Sequence, residues 1–595
     1  MKERIKESFS AGKPIPRFLA SWCFVQVLLL LSDEDAFDNV AYAFSVSPIR
    51  YAVSVLGLFA AFSLVNCMVR RLQTDAWLLT GGFFLCAVGY LSKKRDMWFC
   101  ITLLLLACAL LCYLLKDDKL GLQKTKWNKR ATVVVTAVAG AVVLGLIGTF
   151  TCMRQAAYCT PNYDFGLFCN MFYYMRKTLL PLVSSERDMI LSHFAVHISP
   201  IYYVLLPFYA LFPSPYTLQI GQAVVLASGV LPVYFLAKHK NLSPKLTAVL
   251  MVAYALNPVI FCGTSYDLHE NCFLVPLLLW MFCFFEKKKY IPMFVFALLT
   301  CMVKEDATLF VLFFGLFLIF SRKEYRCGIT LSVFSLAWFG AALLLLSKYG
   351  DGVMSNHFEN YMYEDNGLVG MIRVILMDPG YAVGQIMTQD KFLFLLKMLL
   401  PLGFLPICSR RVSQLLLLFP FILENLMTSY VYQYSIDFQY CFGAAACMIY
   451  LAVLNASELK ARTARYLCLL AADSSLFLFT VNAWPKLNST ATKYFNYQAE
   501  FEALDEALSH VPDGASVKAS TFLVPHLYAR DEIYDIKSDN ETDYVVFDMR
   551  GIYAEDTVAL RAKYVLQGYT VCYDSPGSIL ILQNPSLAAN QQGGK

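Results

Sequence analysis

Charged residues are scarce in this 595-residue chain, where Asp, Glu, Lys and Arg make up 16% of the sequence. Soluble domains average about 25%. Hydrophobic residues make up 58%, the mean hydropathy is +0.52, and the excess lies in apolar runs separated by short charged patches. Many runs approach the roughly 20 residues that a helix needs to cross a bilayer. Soluble, disordered and disulfide-stapled secreted folds are therefore excluded, and the sequence predicts a multi-pass membrane protein.

Several motifs of common enzyme classes are also missing. The 19 cysteines include no CxxC pair, which argues against a zinc ribbon or a thioredoxin-type site. No Walker motif, GxSxG elbow, GxGxxG loop or HExxH helix occurs, so ATP hydrolysis, serine hydrolysis and nicotinamide chemistry have no sequence support. Nucleic-acid binding has none either, because the basic residues follow the predicted cytoplasmic edge of the membrane region.

Fifteen apolar segments are candidate spans, and one further apolar stretch is not. The stretch 198–212 contains Pro200 and Pro207 and is followed by Pro213, so we expect it to lie in the interface or to re-enter rather than to cross. The candidate spans are roughly 18–32, 49–69, 76–92, 97–115, 131–151, 217–237, 246–262, 272–285, 290–303, 307–320, 328–347, 392–408, 412–428, 438–456 and 466–483.

The distribution of Lys and Arg predicts the sidedness. With a cytoplasmic N-terminus and one crossing per candidate, six inner connections contain 20 Lys or Arg and 5 Asp or Glu, as the positive-inside rule requires. A crossing at 198–212 would place every later loop on the opposite side of the membrane. Lys93–Arg95, on the predicted outer side, is the one exception to the positive-inside rule. The loops 152–197 and 348–391 and everything after about 484 are then outside. The six inner connections are 116–130, 238–245, 286–289, 321–326, 409–411 and 457–465.

The C-terminal part has a different sequence character. An amphipathic helix is predicted around 502–508 and short strands at 516–520, 544–548 and 578–582, with Gly and Pro between them. From 495 onward 15 acidic residues face 7 Lys or Arg. We expect an all-α polytopic bundle of about 13 to 15 transmembrane helices, a small extracytoplasmic α/β domain at 484–583, and a disordered tail at 584–595.

Titratable side chains are rare within the candidate spans, where Lys397, Glu424 and Asp473 are the main exceptions. Such residues are costly in a bilayer and mark function. The remaining ones collect at the predicted outer ends of spans. A pump or ion-coupled carrier would place carboxylates near the midplane, whereas a polar rim on one face suits a reaction on a lipid-borne substrate. The clusters are Asp164; His193 and His197; Asp267, His269 and Glu270; Lys304, Glu305 and Asp306; and 434–440.

Each cluster also has a purely structural explanation. Asp164 could cap the helix that follows it. His193 and His197, spaced i and i+4, share a helix face and could bind a metal or make interfacial hydrogen bonds. Acids such as Glu270 favour a helix N-terminus, and Lys304 could snorkel or pair with a neighbouring acid. The joint occurrence of these groups on one face favours function over each separate explanation.

These residues resemble the bacterial membrane family DUF2079. The resemblance rests on the order and spacing of several short motifs and covers roughly 150–583. It leaves 1–130 as a variable N-terminal set of spans and 131–483 as the membrane core, with the outer loop 152–197. The matching stretches are DFGLF at 164–168, SHFAVHISP at 192–200, SYDLHE at 265–270, KED at 304–306, LLPLGFLP at 399–406 and VPHLYAR at 524–530.

That family is similar in architecture to the GT-C glycosyltransferases, which take a sugar from a polyprenyl-phosphate carrier. Their first large outer loop carries an Asp and is followed by helices in the interface, which implies Asp164 and 198–212 as counterparts. The resemblance implies Asp164 as the base or the acceptor-orienting carboxylate. No Asp-x-Asp occurs in this loop. The implied catalytic residues are Asp164, Asp267 and Glu270, and the implied substrate-binding residues are His193, His197, Tyr266, His269, Lys304, Glu305, Gln439 and Tyr440.

Three hypotheses of function follow. The first is transfer of a sugar from a polyprenyl-phosphate donor to an envelope acceptor outside the membrane, with Asp267 and Glu270 either holding a divalent cation or orienting His269. The second is a transporter or flippase of a lipid-linked envelope precursor, for which mid-span Lys397, Glu424 or Asp473 would be essential. The third is a non-catalytic membrane anchor of a binding domain. The enzyme hypothesis requires Asp164, His193, His269 and Lys304 to converge on one cavity.

Overall fold

The computed structural model describes residues 9, 14–33, 36–37, 40–69, 74–121, 127–350, 367–551 and 554–585. Within these ranges, ten helical segments are long and apolar enough to cross a membrane, and three shorter apolar ones accompany them. The ten are Pro14–Ser32, Pro48–Met68, Thr74–Lys93, Met97–Lys116, Lys129–Ala156, Pro215–His239, Pro244–Cys262, Tyr325–Tyr349, Gln439–Glu458 and Ala461–Asn496. The shorter three are Tyr290–Cys301, Thr308–Arg322 and Val412–Leu426.

The helices are numbered here in chain order. The first part of the chain contains α1 (Pro14–Ser32), α2 (Val40–Ser45), α3 (Pro48–Met68), α4 (Thr74–Lys93), α5 (Met97–Lys116), α6 (Lys129–Ala156), α7 (Leu167–Thr178) and α8 (Leu206–Leu211). The middle part contains α9 (Pro215–Ser228), α10 (Val230–His239), α11 (Pro244–Ala255), α12 (Pro258–Cys262), α13 (Leu274–Glu286), α14 (Tyr290–Cys301), α15 (Thr308–Phe317) and α16 (Tyr325–Tyr349).

The remaining helices complete the bundle and enter the C-terminal region. They are α17 (Gly367–Met377), α18 (Pro379–Ile386), α19 (Gln389–Leu399), α20 (Phe442–Glu458), α21 (Ala461–Leu478), α22 (Trp484–Asn496), α23 (Gln498–Leu508), α24 (Val524–Leu527) and α25 (Ala554–Leu566). The predicted fold class, a helical multi-pass membrane bundle with a small C-terminal α/β unit, is confirmed.

Proline and glycine explain two apolar places where the chain does not form one long helix. The segment 392–408 is not one helix, because α19 ends at Leu399 and two short turns follow, Leu400–Leu402 and Leu405–Ile407. Each turn has a proline in its first positions, and Gly403 between them has φ +57. The stretch 198–212 forms the turn Pro200–Val204 and the six-residue α8. Neither reaches the roughly 20 residues of a crossing, as the sequence predicts.

Helix α20 is the centre of the membrane core. All but two of its residues are buried, and the small side chains of residues 443–446 allow its neighbours to approach closely. A Cβ on Gly443 would lie 2.3 Å from the ring of Phe310. Tyr450 stacks on Phe282 of α13 with ring centroids 4.5 Å apart. This close packing fixes the helix ends against which the polar groups are arranged.

A paired charge cluster lies at the far end of α13 from the polar sequence 267–270. Glu286 accepts from Lys240 at 2.5 Å and from the Tyr450 hydroxyl at 2.6 Å, and it also pairs with Arg322. These side chains come from α13, α20, the helical extension Leu318–Arg322 and the C-cap of α10, where Lys240 lies. Each charge here has an opposite partner, which is the arrangement expected for a structural ion cluster.

The C-terminal region contains a mixed five-stranded sheet, in the strand order β4-β3-β5-β7-β6. Here β3 is parallel to β4 and β5, while β5 with β7 and β7 with β6 are antiparallel. One face packs on α23 and the other on α25. The strands are β1 (Leu182–Val183) and β2 (Leu191–Ser192), a separate pair, followed by β3 (Val517–Ala519), β4 (Ile533–Asp535), β5 (Tyr544–Asp548), β6 (Thr570–Ser575) and β7 (Ile579–Gln583).

Helices α15 and α16 cross at two glycines, and this contact gives a test of the packing. A Cβ on Gly328 would lie 2.6 Å from the carbonyl oxygen of Gly315. We expect Gly328→Ala to force the helices apart, at a cost of about 1–3 kcal/mol, and to lower the apparent melting temperature in detergent. Gly340 of the same helix has nothing within 4 Å, so Gly340→Ala should melt at or above the wild-type temperature. Equal melting of the two variants would contradict this packing.

Candidate functional site

A cavity of about 650 Å³ opens where the polar clusters of the sequence meet. Its volume is in the range of small-molecule sites. Titratable groups form one side, which we call the polar side: Asp164, Glu186, His193, His197, His269, Lys304, Glu305 and Asp306. Leu309, Leu312, Leu336, Phe339, Ile375 and Leu376 form another, called the apolar wall. Glu424, Gln433 and Tyr440 also line the cavity.

Asp164 has an unusual backbone conformation. Its φ of 67 and ψ of −73 interrupt the helical turn Asn162–Gly166, and such values are rare and strained for a residue with a Cβ. The conformation persists only if the surroundings determine it, and strained residues of this kind cluster at active sites. The sequence alternative of a simple helix cap is not what forms, because Gly166 is the residue before α7 and no side chain caps that end.

The Asp164 carboxylate faces the cavity without a partner of its own. No hydrogen bond or salt bridge joins it to another residue in the described part of the chain. Burial raises its pKa to about 6 and the charge of Glu270 adds to this, while Lys304 and His197 oppose the shift. A carboxylate with this pKa is mostly ionised at neutral pH yet basic enough to accept a proton.

Lys304 is a buried cation that lies among carboxylates. The residue is 6% exposed, and its ammonium lies 3.9 Å from Glu270 and forms no hydrogen bond with another residue that the structure describes. Although burial lowers the pKa of Lys304, Asp306 and Glu270 raise it above the ordinary value, so the group stays charged. A buried ammonium with unused donors has the chemistry to bind an anion that enters the cavity.

Glu270 lies among three polar side chains of the site. Its Oε2 accepts from the Tyr202 hydroxyl at 2.6 Å and lies 3.1 Å from Nδ1 of His269. The backbone N–H of Glu270 donates to the same hydroxyl at 3.1 Å. Burial lowers the pKa of His269 to about 3, so the imidazole is neutral and has one donor and one acceptor nitrogen. Glu270 is thus hydrogen-bonded to Tyr202 and lies beside His269 and Lys304, although Nδ1 of His269 has no hydrogen-bond partner among the described residues.

The two histidines of the SHFAVH motif are fixed by different acids. His197 Nδ1 lies 2.9 Å from Oε1 of Glu305, whose Oε2 accepts from the backbone N–H of Ile198 at 3.0 Å. His193 Nδ1 lies 3.5 Å from Glu186, and its Nε2 is buried without a hydrogen-bond partner among the described residues. An unpartnered donor or acceptor in a buried ring is expensive, and a bound ligand would satisfy it.

Asp306 is a second unpaired carboxylate on the polar side. It lines the cavity and has no hydrogen bond or salt bridge to another described residue. Burial raises its pKa to about 6, an effect that Lys304 opposes and Glu305 strengthens. Asp164 and Asp306 therefore titrate in the same range, and either could accept a proton.

The apolar wall connects the cavity with the surface of the bundle. Leu336 of α16 is 53% exposed and Leu376 of α17 is 69% exposed, although both line the cavity. Large exposed hydrophobic side chains on membrane helices face lipid. The cavity thus joins a charged side to a lipid-facing side, a shape that suits an amphiphile with a polar head.

The structure brings together Asp164, His193, His269 and Lys304, as the enzyme hypothesis requires, and His197, Glu305 and Tyr440 join them. Two other predicted substrate-binding residues are not part of the lining. Tyr266 packs against Phe438, with ring centroids 5.5 Å apart. Gln439 is 3% exposed, and its Oε1 has no partner among the described residues.

Asp267 and Glu270 do not fit a shared cation site. Arg154 donates to both oxygens of Asp267 at 3.1 and 3.0 Å, and Gln219 donates at 2.9 Å. The carboxylate of Asp267 is therefore already neutralised, and it lies outside the cavity lining. Across the part of the chain that the structure describes, no group of three or more His, Cys, Asp or Glu could hold a metal ion.

Sequence reasoning missed several residues of the site. Glu186 comes from a polar stretch that resembles an ordinary surface loop, and Gln433 lies one residue before the predicted polar cluster 434–440. Glu424 was visible as a rare charge within a candidate span, and that rarity is a usable signal. Arg154 lies one turn beyond the predicted span 131–151, because α6 continues to Ala156. Its pairing with Asp267 joins distant segments and has no local signature.

The Arg154–Asp267 pair gives a test of the scaffold. We expect Arg154→Met to leave a buried carboxylate without compensation and to destabilise the protein by about 3–5 kcal/mol. The matched control is Lys177→Met, because Lys177 forms an exposed pair with Asp531 at 2.7 Å and such pairs contribute about 1 kcal/mol or less. Thermal unfolding in detergent compares the two variants. Similar melting temperatures would show that the buried pair is not a structural element.

A crystal structure of ArnT from Cupriavidus metallidurans in the apo state is similar to this chain with a TM-score of 0.45 and 10% identity. The similarity covers 76% of this chain and 97% of that one. No curated protein sequence matches the chain.

The family comparison covers most of the chain. The model of the family described as predicted membrane protein (DUF2079) matches residues 154–567. The match begins at Arg154 and includes every titratable residue of the polar side, together with the C-terminal sheet as far as α25. This chain belongs to the DUF2079 family of membrane proteins.

Proposed function

We propose that the protein transfers a sugar from a polyprenyl-phosphate donor to an acceptor of the cell envelope, on the extracytoplasmic face of the membrane. The supporting observation is the cavity itself. It combines an unpaired carboxylate at Asp164, a buried cation at Lys304 and an apolar wall that reaches the lipid-facing surface. A soluble metabolite would not require this last feature.

The donor would bind with its head on the polar side and its chain along the apolar wall. Lys304 supplies a positive charge for the phosphate, and His193 and His269 supply ring nitrogens that face the same space. A buried cation strengthens an interaction with phosphate because water does not compete for it. The prenyl chain would exchange contacts with lipid for contacts with Leu309, Leu312 and their neighbours, so this part of the binding depends on packing rather than on transfer from water.

The reaction needs one base and one stabilised leaving group. The oxygen of the acceptor hydroxyl attacks the anomeric carbon, and the bond from that carbon to the phosphate oxygen breaks. The hydroxyl proton moves to the Asp164 carboxylate, while the lipid phosphate leaves with the electron pair and is stabilised by Lys304. Gln433 and Tyr440, which line the cavity, are placed to hydrogen-bond the sugar hydroxyls.

The orientation in the membrane follows from the positive-inside rule. The proposed inner connections contain the 20 Lys or Arg noted above, whereas the polar side of the cavity belongs to the proposed outer ends of the helices. The domain with the five-stranded sheet would then be extracytoplasmic. Lipid-linked donors that face outward and envelope acceptors would meet there, and the acceptor would be a lipid, a glycan or a protein.

One observation favours a second candidate, a flippase of a lipid-linked envelope precursor. Glu424 belongs to the apolar segment Val412–Leu426 and lines the same cavity, as expected for a carboxylate on a translocation path. A flippase would move the amphiphile without covalent change. Glu424→Gln would then abolish movement between the leaflets of liposomes, whereas Asp164→Asn would leave it intact.

Substitution of Asp164 tests the proposed chemistry. Asp164→Asn keeps the size of the side chain but removes the base, and we expect turnover to fall by about 10²–10⁴-fold. The assay follows radiolabelled sugar from polyprenyl-phosphate donors into membrane acceptors. Asp188→Asn is the matched control, since Asp188 is an exposed carboxylate in the same outer connection with φ 56. Full turnover by Asp164→Asn would remove Asp164 from the mechanism.

The pH dependence tests which carboxylate is the base. Asp164 must be ionised to accept a proton, and its pKa is raised to about 6. We therefore expect kcat/KM to be highest at neutral pH and to fall as the pH drops through about 6. Asp306 has a similar pKa of about 6, so Asp306→Asn is the discriminating variant. If Asp306→Asn retains the acidic limb, Asp164 is supported as the base. If the limb is lost, Asp306 is the base instead.

A further inference from the structure

We propose that the C-terminal sheet domain is a built-in part of the site and holds the loop of Asp164 in its active conformation. This inference rests on the proposed function, because that function makes Asp164 the base that has to be positioned. The residues that act are Thr521 and Val524, on the turn that precedes and begins α24. They are positioning residues, because their contacts are with the backbone around Asp164 rather than with the cavity.

The connection after α6 enters the core of the C-terminal domain. Ala157 and Tyr158 are 0% and 1% exposed and belong to the hydrophobic cluster under the sheet. The Tyr158 ring stacks on His526, with centroids 3.7 Å apart and planes 6° apart. Its hydroxyl donates to Asp505 of α23 at 2.5 Å. A membrane helix and a sheet domain thus share one core at this point.

Hydrogen bonds continue this attachment up to the loop of Asp164. Thr160 donates to Gln155 at 2.5 Å, and the Gln155 amide donates to the carbonyl of Pro525 at 3.4 Å. The backbone N–H of Asn162 donates to the hydroxyl of Thr521 at 3.0 Å. That last bond is two residues from Asp164, and it fixes the start of the strained turn.

The end of the turn is fixed by close packing. A Cβ on Gly166 would lie 2.9 Å from Oδ1 of Asn162 and 3.1 Å from Cγ1 of Val524. These separations are too short for a larger residue without movement. A side chain at position 166 would therefore press on Asn162 within the turn and on Val524 of the C-terminal domain, whereas Pro525 at 3.5 Å is in ordinary contact.

The segment after the turn is attached to the same domain. Asn170 of α7 donates to the carbonyls of Tyr528 and Arg530 at 3.0 Å each. Tyr174 donates to the carbonyl of Asp531 at 2.5 Å. Asp164 thus lies between two attachments to one domain. A φ of 67 at a residue with a Cβ costs free energy, and these attachments are what compensates it.

The test removes one threonine hydroxyl at a time. Thr521→Ala removes the acceptor for Asn162, and we expect faster amide hydrogen exchange in peptides that cover 158–168, because the turn opens more often. Thr521→Ser restores the hydroxyl and should restore slow exchange. The control is Thr570→Ala, since the Thr570 hydroxyl donates to Gln583 at the far edge of the sheet at 3.4 Å. This measurement requires no substrate.

Turnover supplies the second measurement. We expect Thr521→Ala to lower kcat by about 10- to 100-fold with KM little changed, because misplacement of a base by about 1 Å has effects of this size. The acidic limb of the pH profile should move to lower pH, because water that reaches Asp164 reduces the effect of burial on its pKa. Thr521→Ser should recover both. Gly166→Ala should lower kcat as Thr521→Ala does. The double variant Gly166→Ala with Val524→Ala, in which the smaller side chain at 524 makes room for the new methyl group, should recover part of the lost kcat.

The outcomes separate this inference from the proposed function. Unchanged exchange over 158–168 in both Thr521→Ala and Gly166→Ala overturns the positioning role. Faster exchange with unchanged kcat and an unchanged pH profile also overturns it, while the proposed function stands. If the wild-type protein transfers no sugar from any polyprenyl-phosphate donor, the proposed function fails, and hydrogen exchange alone still decides whether the domain holds the loop.

Discussion

Burying an ionised side chain away from water costs several kcal/mol unless an opposite charge or hydrogen bonds compensate. This constraint separates the charges of the molecule into two groups. Arg154 with Asp267, and Glu286 with Lys240 and Arg322, are fully paired and hold helices together. Asp164 and Asp306 form no ion pair or hydrogen bond with another described side chain, and the ammonium of Lys304, which lines the same cavity, has only Glu270 at 3.9 Å. Burial raises the pKa of both carboxylates, so their charged forms are costly, and a ligand that binds there explains why they are retained.

The same constraint explains the shape of the cavity. A polar substrate alone would not need contact with lipid, and a lipid alone would not need charge. The polar side and the apolar wall together suit an amphiphile whose reactive head lies at the end of the helices. The C-terminal sheet domain lies next to this position, so its close attachment to the Asp164 loop places a folded domain beside the proposed point of reaction.

Much of this fold is predictable from the sequence because membrane spans are governed by local composition. The positions of the helices, the non-crossing stretch 198–212 and the strands at 544–548 and 578–582 follow from hydropathy, proline and residue alternation. The convergence of Asp164, His193, His269 and Lys304 follows from their shared place at helix ends. Pro401 and Gly403 indicate that the helix ends after Leu399, but the apolar run around them is unbroken and predicts a continuous span. Pairings between distant segments, such as Arg154 with Asp267 or Asn162 with Thr521, have no local signal and required the structure.

The central claim is that the cavity binds a lipid phosphate through Lys304. Binding of polyprenyl monophosphate and of the corresponding uncharged polyprenol to the purified protein, measured by native mass spectrometry, tests it most directly. A charge-assisted hydrogen bond contributes about 1.5–3 kcal/mol, so the monophosphate should bind about 10- to 100-fold more tightly than the alcohol. Lys304→Met should abolish that preference and leave the binding of the alcohol unchanged. Equal binding of the two lipids by the wild-type protein, or an undiminished preference in Lys304→Met, would contradict the account.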